Sequence, residues 1–315
     1  LEMYQTLRSY KRITSKDVID ALYKEFIPWE NLKQEGFSSV IRTPAGHVLA
    51  LDRDMVERGI TLKQPPLKIT SIVGTGMFQG ERIAIIAQQT PPCDTERGVY
   101  NYGLATADDY ILALAMMKFA RANNLSLHTF IDTVGGDPFT RSTEKLQSWL
   151  ISECIRIMIL TPTPTISVIV GQGGSGGAIA LQPTDMRLML DSHDGPNGAF
   201  YSVIDPKGGA AIVFRNDSDD AIVTMIDILQ PTADHMLRYG IIDRIITEAP
   251  MESPDYKEST IREIQSAFEN ASEVLRGIDN NTRIKERRER IMRVGAISHN
   301  RSWYAGFRRF TFGRR

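Results

Sequence analysis

The chain has 315 residues, 42% hydrophobic and 24% charged, with a formal net charge of −1. This is globular composition, sufficient for one large or two smaller α/β units, and its balanced charge excludes a global attraction to nucleic acid or to a membrane surface. The two cysteines, Cys93 and Cys154, are too few for a disulfide framework or a four-cysteine zinc site.

A reducing, cytoplasmic setting is expected, because no secretory signal and no apolar run of about 18 residues is found. Leu1-Glu2 ahead of Met3 reads as a cloning remnant. Residues 3–36 predict an amphipathic helix, with Val18, Leu22 and Phe26 recurring at spacing four and Thr14 or Ser15 as its cap. Residues 37–66 read as irregular, with Pro44, Gly46, Gly59 and Pro65-Pro66.

A β–α alternation follows. Ile69–Val73 and Ile83–Gln88 predict short strands around a turn at Gly74–Gly80, and residues 89–103 a polar loop. Asp108 to Ala122 predicts a helix with an apolar face of Ile111, Leu112, Ala115, Met116 and Phe119. Leu127–Ile131 is a buried strand ending at Asp132-Thr133, residues 142–160 a long helix, and Thr165–Val170 the next strand. Met186–Leu190, Ala199–Ile204 and Ala210–Phe214 predict further strands, with helices over 218–239, a last strand at Ile241–Ile246 and charged helices over 257–294. Such alternation implies a mostly parallel sheet with its site at the strand C-termini.

The informative segment is Ser167-Val-Ile-Val-Gly-Gln-Gly-Gly-Ser-Gly-Gly-Ala-Ile-Ala-Leu181. An apolar strand ends in a turn of Gly171, Gly173, Gly174, Gly176 and Gly177, with Ser175 its only hydroxyl, and a small-residue helix follows. Bare N–H groups at a helix start hold developing negative charge, so the pattern points to an oxyanion or phosphate cradle rather than to a nucleophile. Gly171 to Gly176 also matches G-x-G-x-x-G, with Asp191 ending the next strand, which is the dinucleotide pattern. Its mid-chain position and two further glycine turns, Thr133-Val-Gly-Gly136 and Gly74-Thr-Gly76, argue against that reading. Gly135 and Gly136 would give a second set of N–H donors beside the first, as in an oxyanion hole, or else a plain β-to-α turn. His128, on a strand, reads as a core histidine, and no Ser-His-Asp set or metal spacing is apparent.

From Arg283 to Arg315 there are eleven Lys or Arg against two acids. After Gly295, five arginines interleave with Trp303, Tyr304, Phe307, Phe310 and Phe312. This tail is expected to dock on a partner subunit; a nucleic-acid arm is the other reading.

From about Arg8 to Gly295 the chain resembles the carboxyltransferase alpha subunit of bacterial multisubunit acetyl-CoA carboxylase. The resemblance rests on Asn101-Tyr-Gly-Leu104, Asp109-Tyr110 to Met116-Met117, Thr129-Phe-Ile-Asp-Thr133, Val170 to Ala178, Tyr201-Ser-Val-Ile-Asp-Pro-Lys-Gly208 and Tyr239-Gly-Ile-Ile-Asp-Arg-Ile-Ile246, in that order and spacing. It implies an α/β fold of the crotonase-like (ClpP/crotonase) β-β-α spiral type. The implied organisation is an N-terminal helical and irregular extension (3–66), a carboxyltransferase domain (67–250), C-terminal helices (251–295) and a basic aromatic tail (296–315). The implied reaction moves a carboxyl group from carboxybiotin, on a separate biotin carboxyl carrier protein, to the α-carbon of an acyl-CoA or acyl thioester, with no metal in this chain. The implied partner is a beta-type subunit with a four-cysteine zinc motif, in an α2β2 assembly; no membrane and no nucleic acid are expected. Gly176, Gly177 and Ala178, with Gly135 and Gly136 in the neighbouring turn, would carry catalysis. Gly173, Gly174, Ser175, Tyr201, Val203 and Ile204 would bind biotin or substrate.

The chain departs from the family pattern at Val134 and Gly136, where Pro and Ala are usual, and at Tyr100 and Ile111, where basic residues are usual. Two alternatives fit the same segments: a biotin-independent decarboxylase of a malonyl-type thioester, and a non-catalytic assembly subunit.

Overall fold

The computed structural model describes residues 11–191 and 198–294. The aromatic tail and residues 3–10 of the first predicted helix lie outside the described residues.

Twelve strands are present among them: β1 (Lys24–Pro28), β2 (Ile41–Arg42), β3 (Val48–Leu49), β4 (Ile72–Phe78), β5 (Glu81–Ala87), β6 (Leu104–Ala105), β7 (Ser126–Thr133), β8 (Gly135–Gly136), β9 (Thr165–Gly174), β10 (Met186–Asp191), β11 (Phe200–Ser202) and β12 (Arg244–Thr247). The main sheet runs β1-β4-β5-β7-β9-β10-β12, with β11 added to the end of β9. β1, β4 and β5 pair antiparallel, and β5, β7, β9, β10 and β12 pair parallel. The two central strands, β7 and β9, are buried almost throughout, as continuous apolar runs require in a parallel sheet covered on both faces.

The helix Ala107–Ala122 begins at a capping box. The Thr106 side chain accepts from the Asp109 N–H, and the Asp109 carboxylate accepts from the Thr106 N–H. It packs on the helix Gln147–Leu160 and on β5.

The predicted N-terminal helix is shorter than expected. It spans Ser15–Leu22, with Thr14 as cap, and the chain then enters β1. Gly74 and Gly76 explain the difference. They lie inside β4, not in a turn, and a β-carbon on Gly74 would lie 2.7 Å from Phe26 Cζ and one on Gly76 2.8 Å from Tyr23 Cβ. The glycines let β1 press onto the sheet edge. The strand expected at Ala210–Phe214 is instead part of the helix Pro206–Val213, set by Asp205, which accepts the Gly208 N–H, and by Pro206 in the first turn.

The main core collects side chains from Ile13 to Leu275, so the N-terminal segment and the helix Tyr256–Arg276 share it with the sheet. His128 sits in an aromatic cluster with Tyr23, Phe78, Phe130 and Phe268, and its Nδ1 is 2.7 Å from the Tyr23 hydroxyl. Burial lowers its pKa to about 3, as befits a core histidine. A smaller cluster of Phe200, Ala210, Ala221, Ile222 and Met225 lies under the helices Pro206–Val213 and Asp219–Leu229.

The basic C-terminal helix, Asn280–Arg293, turns part of its charge inward. Arg287 is fully buried and bidentate to Asp185 (2.9 and 2.6 Å), and its Nη1 donates to the carbonyls of Met158 and Thr161. Arg290 and Arg187 meet on Asp243. Burial favours the neutral acid there, but the two guanidiniums outweigh it and hold the Asp243 pKa below the usual carboxylate value.

Candidate active site

The C-terminal ends of β7 and β9 are stitched side by side. Asp132, at the end of β7, accepts the Gln172 N–H (2.9 Å) and the Thr90 hydroxyl (2.6 Å). Gly171 leaves room for this, because a β-carbon there would overlap the Asp132 carboxylate and lie 3.1 Å from Arg12 Nη1. Burial raises the Asp132 pKa, with the Arg12 charge opposing. Arg12 Nη2 also donates to the Val170 carbonyl (2.6 Å), so the N-terminal segment ties down the base of the site.

Beyond this clamp the two glycine turns interlock backbone to backbone. A β-carbon on Gly174 would overlap the Val134 carbonyl and lie 2.9 Å from the Gly135 nitrogen. One on Gly177 would lie 2.9 Å from the Gly135 carbonyl carbon and 3.0 Å from Thr133 Cγ2. These two glycines serve close approach of chain to chain. The Val134–Gly136 turn is held from its other side. Val134 N–H donates to the Gly103 carbonyl (2.9 Å), as does Thr133 Oγ1 (2.8 Å), and β8 pairs with β6.

The helix Ser175–Ile179 opens directly from this contact, with Gly174 as its cap and no side chain capping it. The N–H groups of Ser175, Gly176 and Gly177 therefore have no carbonyl within the helix, whereas that of Ala178 falls on the Gly174 carbonyl. In the neighbouring turn, the Gly135 N–H is taken by Thr133 Oγ1 (3.2 Å). Ser175, exposed and held at φ +49°, caps the corner. Gln88 Nε2 donates to the Gly177 carbonyl (2.8 Å) and fixes the pitch of the short helix.

β11 completes the site. Its register pairs Phe200 with Gln172, Tyr201 with Gly173 and Ser202 with Gly174. Alternation puts Gln172, Gly174, Phe200 and Ser202 on one face, where they line a cleft with Val134, Ile204 and Asp205. Gly173 and Tyr201 occupy the opposite face, and a β-carbon on Gly173 would lie 2.7 Å from Tyr201 Cδ2. Burial raises the Tyr201 pKa to about 12. Of the residues expected to bind biotin or substrate, Gly174 and Ile204 line the cleft and Ser175 stands at the helix start. Tyr201 and Gly173 turn away from it, and Val203 is 72% exposed.

Among the described residues no cation lines the cleft, and its one ionisable side chain is Asp205, the N-cap of the helix Pro206–Val213. Fixed N–H groups such as those of Gly176 and Gly177 can stabilise negative charge that develops on a carbonyl oxygen, and one donor in known oxyanion holes is worth roughly 3–4 kcal/mol. Sequence reasoning missed Arg12, Gln88 and Asp132 as the groups that hold the donors. The pair Gln88-Gln89, polar and buried directly after the apolar run of β5, was the signal for one of them.

The family described as acetyl co-enzyme A carboxylase carboxyltransferase-like matches residues 69–295. The chain belongs to this family. Among its relatives, the acetyl-coenzyme A carboxylase carboxyl transferase subunit alpha of Rhodospirillum centenum is 32% identical over 225 residues, 70% of this chain and 68% of the relative. The subunit of that name from Bartonella tribocorum is 30% identical over 288 residues, 89% of this chain and 85% of the relative. Among solved structures, a Pseudomonas malonate decarboxylase hetero-tetramer in complex with coenzyme A superposes with a TM-score of 0.56 at 16% identity, covering 79% of this chain and 93% of that one. The transcarboxylase 12S core with methylmalonyl-coenzyme A bound gives 0.50 at 18% identity, covering 64% and 36%. At those identities the likeness is one of fold, and the fold is crotonase-like, as the resemblance implied. This carboxyltransferase-family chain has no group of three His, Cys, Asp or Glu able to hold a metal among its described residues. No helix among them is long and apolar enough to cross a membrane.

Proposed function

We propose that this chain is the alpha-type half of a two-subunit carboxyltransferase, taking the carboxyl group of carboxybiotin on a separate carrier protein and passing it to the α-carbon of an acyl-CoA thioester. The observation that carries the reading is the pair of interlocked turns, which hold the helix start, with the N–H groups of Gly176 and Gly177, next to the cleft-lining Gly174. Biotin supplies a carboxyl carrier whose ureido oxygen gains negative charge as the carboxyl leaves. The N–H groups of Gly176 and Gly177, which follow the cleft-lining Gly174 in the chain, suit that charge.

This chain's residues have three tasks in the reaction. The N–H groups of Gly176 and Gly177 hold the growing charge, with no reorganisation needed at the moment of transfer. Gln88, through the Gly177 carbonyl, and Asp132, through the Gln172 N–H, keep the donors in place. Val134 and Phe200 wall the cleft and limit water. Gly135 and Gly136 serve as the seat against which the helix start is packed.

Asp205, the one ionisable side chain among the described residues of the cleft, already accepts the Gly208 N–H as a helix cap, and removal of the acyl α-proton is proposed to fall to a partner in a shared site. That partner is a related carboxyltransferase subunit, proposed here to be zinc-bearing and beta-type in an α2β2 assembly, with a biotin carboxyl carrier protein as the donor. The exposed apolar side chains of Val203 (72%) and Ile212 (71%), which follow the cleft-lining β11, suit burial under it. The test is product identification by mass spectrometry after mixing this chain, a beta-type partner, carboxylated carrier and acetyl-CoA. Malonyl-CoA formed only with the biotinylated carrier is expected. Loss of carbon dioxide from malonyl-CoA without any biotin would replace this reading with that of a decarboxylase.

A further inference from the structure

The ladder between β7 and β9 breaks just before the candidate site. Ile131 pairs with Ile169 and the next pair is Thr133 with Gly173, so Asp132 alone stands against Val170, Gly171 and Gln172. A bulge of this kind sets the offset of the two strand ends, and here side chains stand in for the missing rungs. Asp132 Oδ1 accepts the Gln172 N–H (2.9 Å), and Arg12 Nη2 donates to the Val170 carbonyl (2.6 Å). Both glycine turns grow directly out of this bulge.

Arg12 is shared with a third strand. Glu248 follows the last residue of β12, its side chain is fully buried, and its Oε1 lies 3.9 Å from Arg12 Nη2. The same oxygen accepts the Tyr256 hydroxyl (2.5 Å), whose own oxygen accepts the Ile13 N–H (3.1 Å). On the β7 side, Arg12 Nη1 and the Asp132 carboxylate crowd the space beside Gly171, where a β-carbon would lie 3.1 Å from the one and overlap the other. One cation thus serves two buried acids on different strands, and its place depends on both charges. With Glu248 neutral, Asp132 would be left to draw the guanidinium away from the Val170 carbonyl and into competition with the Gln172 N–H. Glu248 itself does not line the cleft.

We infer that Glu248 is a positioning residue of the site: through Arg12 it fixes the β7–β9 bulge and, with it, the offset between the two glycine turns. The catalytic consequence rests on the proposed carboxyltransferase function; the splint at the bulge does not.

Glu248→Gln separates this role from fold stability. It keeps the shape and removes one of two acids around a single buried cation, so its melting temperature should stay within a few degrees of wild type. Hydrogen exchange read by mass spectrometry on the purified chain reports on the bulge directly. Peptides spanning 168–178 should exchange roughly tenfold faster in Glu248→Gln, the loss of one hydrogen bond to a charged group, while those of β5 exchange as in wild type. In the complex with the partner subunit, kcat for carboxyl transfer between malonyl-CoA and biocytin should fall roughly tenfold or more, with the KM for malonyl-CoA within twofold of wild type. Glu248→Asp, which keeps the charge, should recover part of the rate. Arg12→Lys, which keeps the charge but loses the planar fork, should exchange and react like Glu248→Gln. Arg290→Met withdraws a guanidinium from Asp243, ahead of β12 at the far end of the sheet; it should lower the melting temperature and leave kcat within twofold.

Unchanged exchange over 168–178 in both Glu248→Gln and Arg12→Lys overturns the splint. Faster exchange with unchanged kcat overturns the positioning role and leaves the carboxyltransferase reading standing. A melting temperature for Glu248→Gln as low as that of Arg290→Met, with kcat lost in proportion in both, also overturns it and makes Glu248 a stability residue. Faster exchange in the variants, together with no carboxyl transfer by the wild-type complex, overturns the functional reading and the catalytic consequence with it.

Discussion

Three single glycine-to-alanine changes separate the packing role of the turn from its chemistry. At Gly174 the added methyl overlaps the Val134 carbonyl and sits 2.9 Å from the Gly135 nitrogen, with main chain on both sides. Non-bonded heavy atoms settle near 3.5 Å, so the two turns must part by about 1 Å or more. Overpacking of a core costs typically about 1–3 kcal/mol where side chains can yield; here none can, and Gly174→Ala is expected to cost about 3 kcal/mol or more. At Gly177 the methyl meets atoms at 2.9 and 3.0 Å, a smaller intrusion, and the expected cost is about 1–2 kcal/mol. At Gly176 the nearest atom is the Ile151 Cδ1 at 3.5 Å, ordinary contact, and alanine is the better helix former by roughly 0.5–1 kcal/mol. The expected order of stability is Gly176→Ala, wild type, Gly177→Ala, Gly174→Ala. Urea denaturation with fitted midpoints and slopes gives the four values. If Gly174→Ala lies within about 0.5 kcal/mol of Gly176→Ala, the turns do not interlock as described and the cradle loses its structural basis. A valine at Gly177 would act on this packing too, because its β-carbon points at Gly135 and Thr133.

Other consequences are as direct. Replacing Arg287 by Met strands the Asp185 carboxylate in the core, and urea denaturation should show a loss of about 3–5 kcal/mol; adding Asp185→Asn, which removes the stranded charge, should restore part of it. His128 is held neutral, with its pKa at about 3 against 6.5 unfolded. Its contribution is whole above pH 6.5 and shrinks as pH falls toward 3, since only the unfolded chain takes up the proton. Between pH 7 and pH 5 the wild type should lose about 2 kcal/mol that His128→Phe does not; parallel pH profiles for the two would contradict the buried neutral imidazole. Deletion of residues 296–315 should weaken association with the partner, seen by sedimentation at varied concentration, without lowering the melting temperature of the isolated chain. A truncated chain that assembles unchanged but loses salt-sensitive RNA or DNA binding would instead mark the tail as a nucleic-acid arm.

The sheet's parallel half was legible because β7 and β9 are continuous apolar runs that end in glycine turns, and the placement of a cradle at their C-termini followed from that. The antiparallel edge was not. Lys24–Pro28 continues the helical spacing of Val18 and Leu22, and only the glycines opposite, Gly74 and Gly76, reveal that a strand must lie against them. Ala210–Phe214 reads as β-prone from its Ile, Val and Phe content, but Asp205-Pro206 starts a helix, a local cap outweighing a run of propensities. The burial of Arg287 is invisible in a stretch of alternating charges, because its partner Asp185 lies 102 residues away. Within the site, the glycines marked the turn but could not say which face of the β9–β11 pair opens onto solvent. The register of β11 decides that, turning Tyr201 inward and Gln172 out.

The central claim is that this chain holds one half of a carboxyl-transfer site. The most direct measurement is the rate of carboxyl transfer between malonyl-CoA and biocytin for the purified chain alone, for a beta-type partner alone and for the two mixed. The account predicts no turnover from either subunit by itself and turnover that appears on mixing and saturates at equal amounts of the two. Clear turnover from this chain alone, or none from a verified stable complex of both, would contradict it.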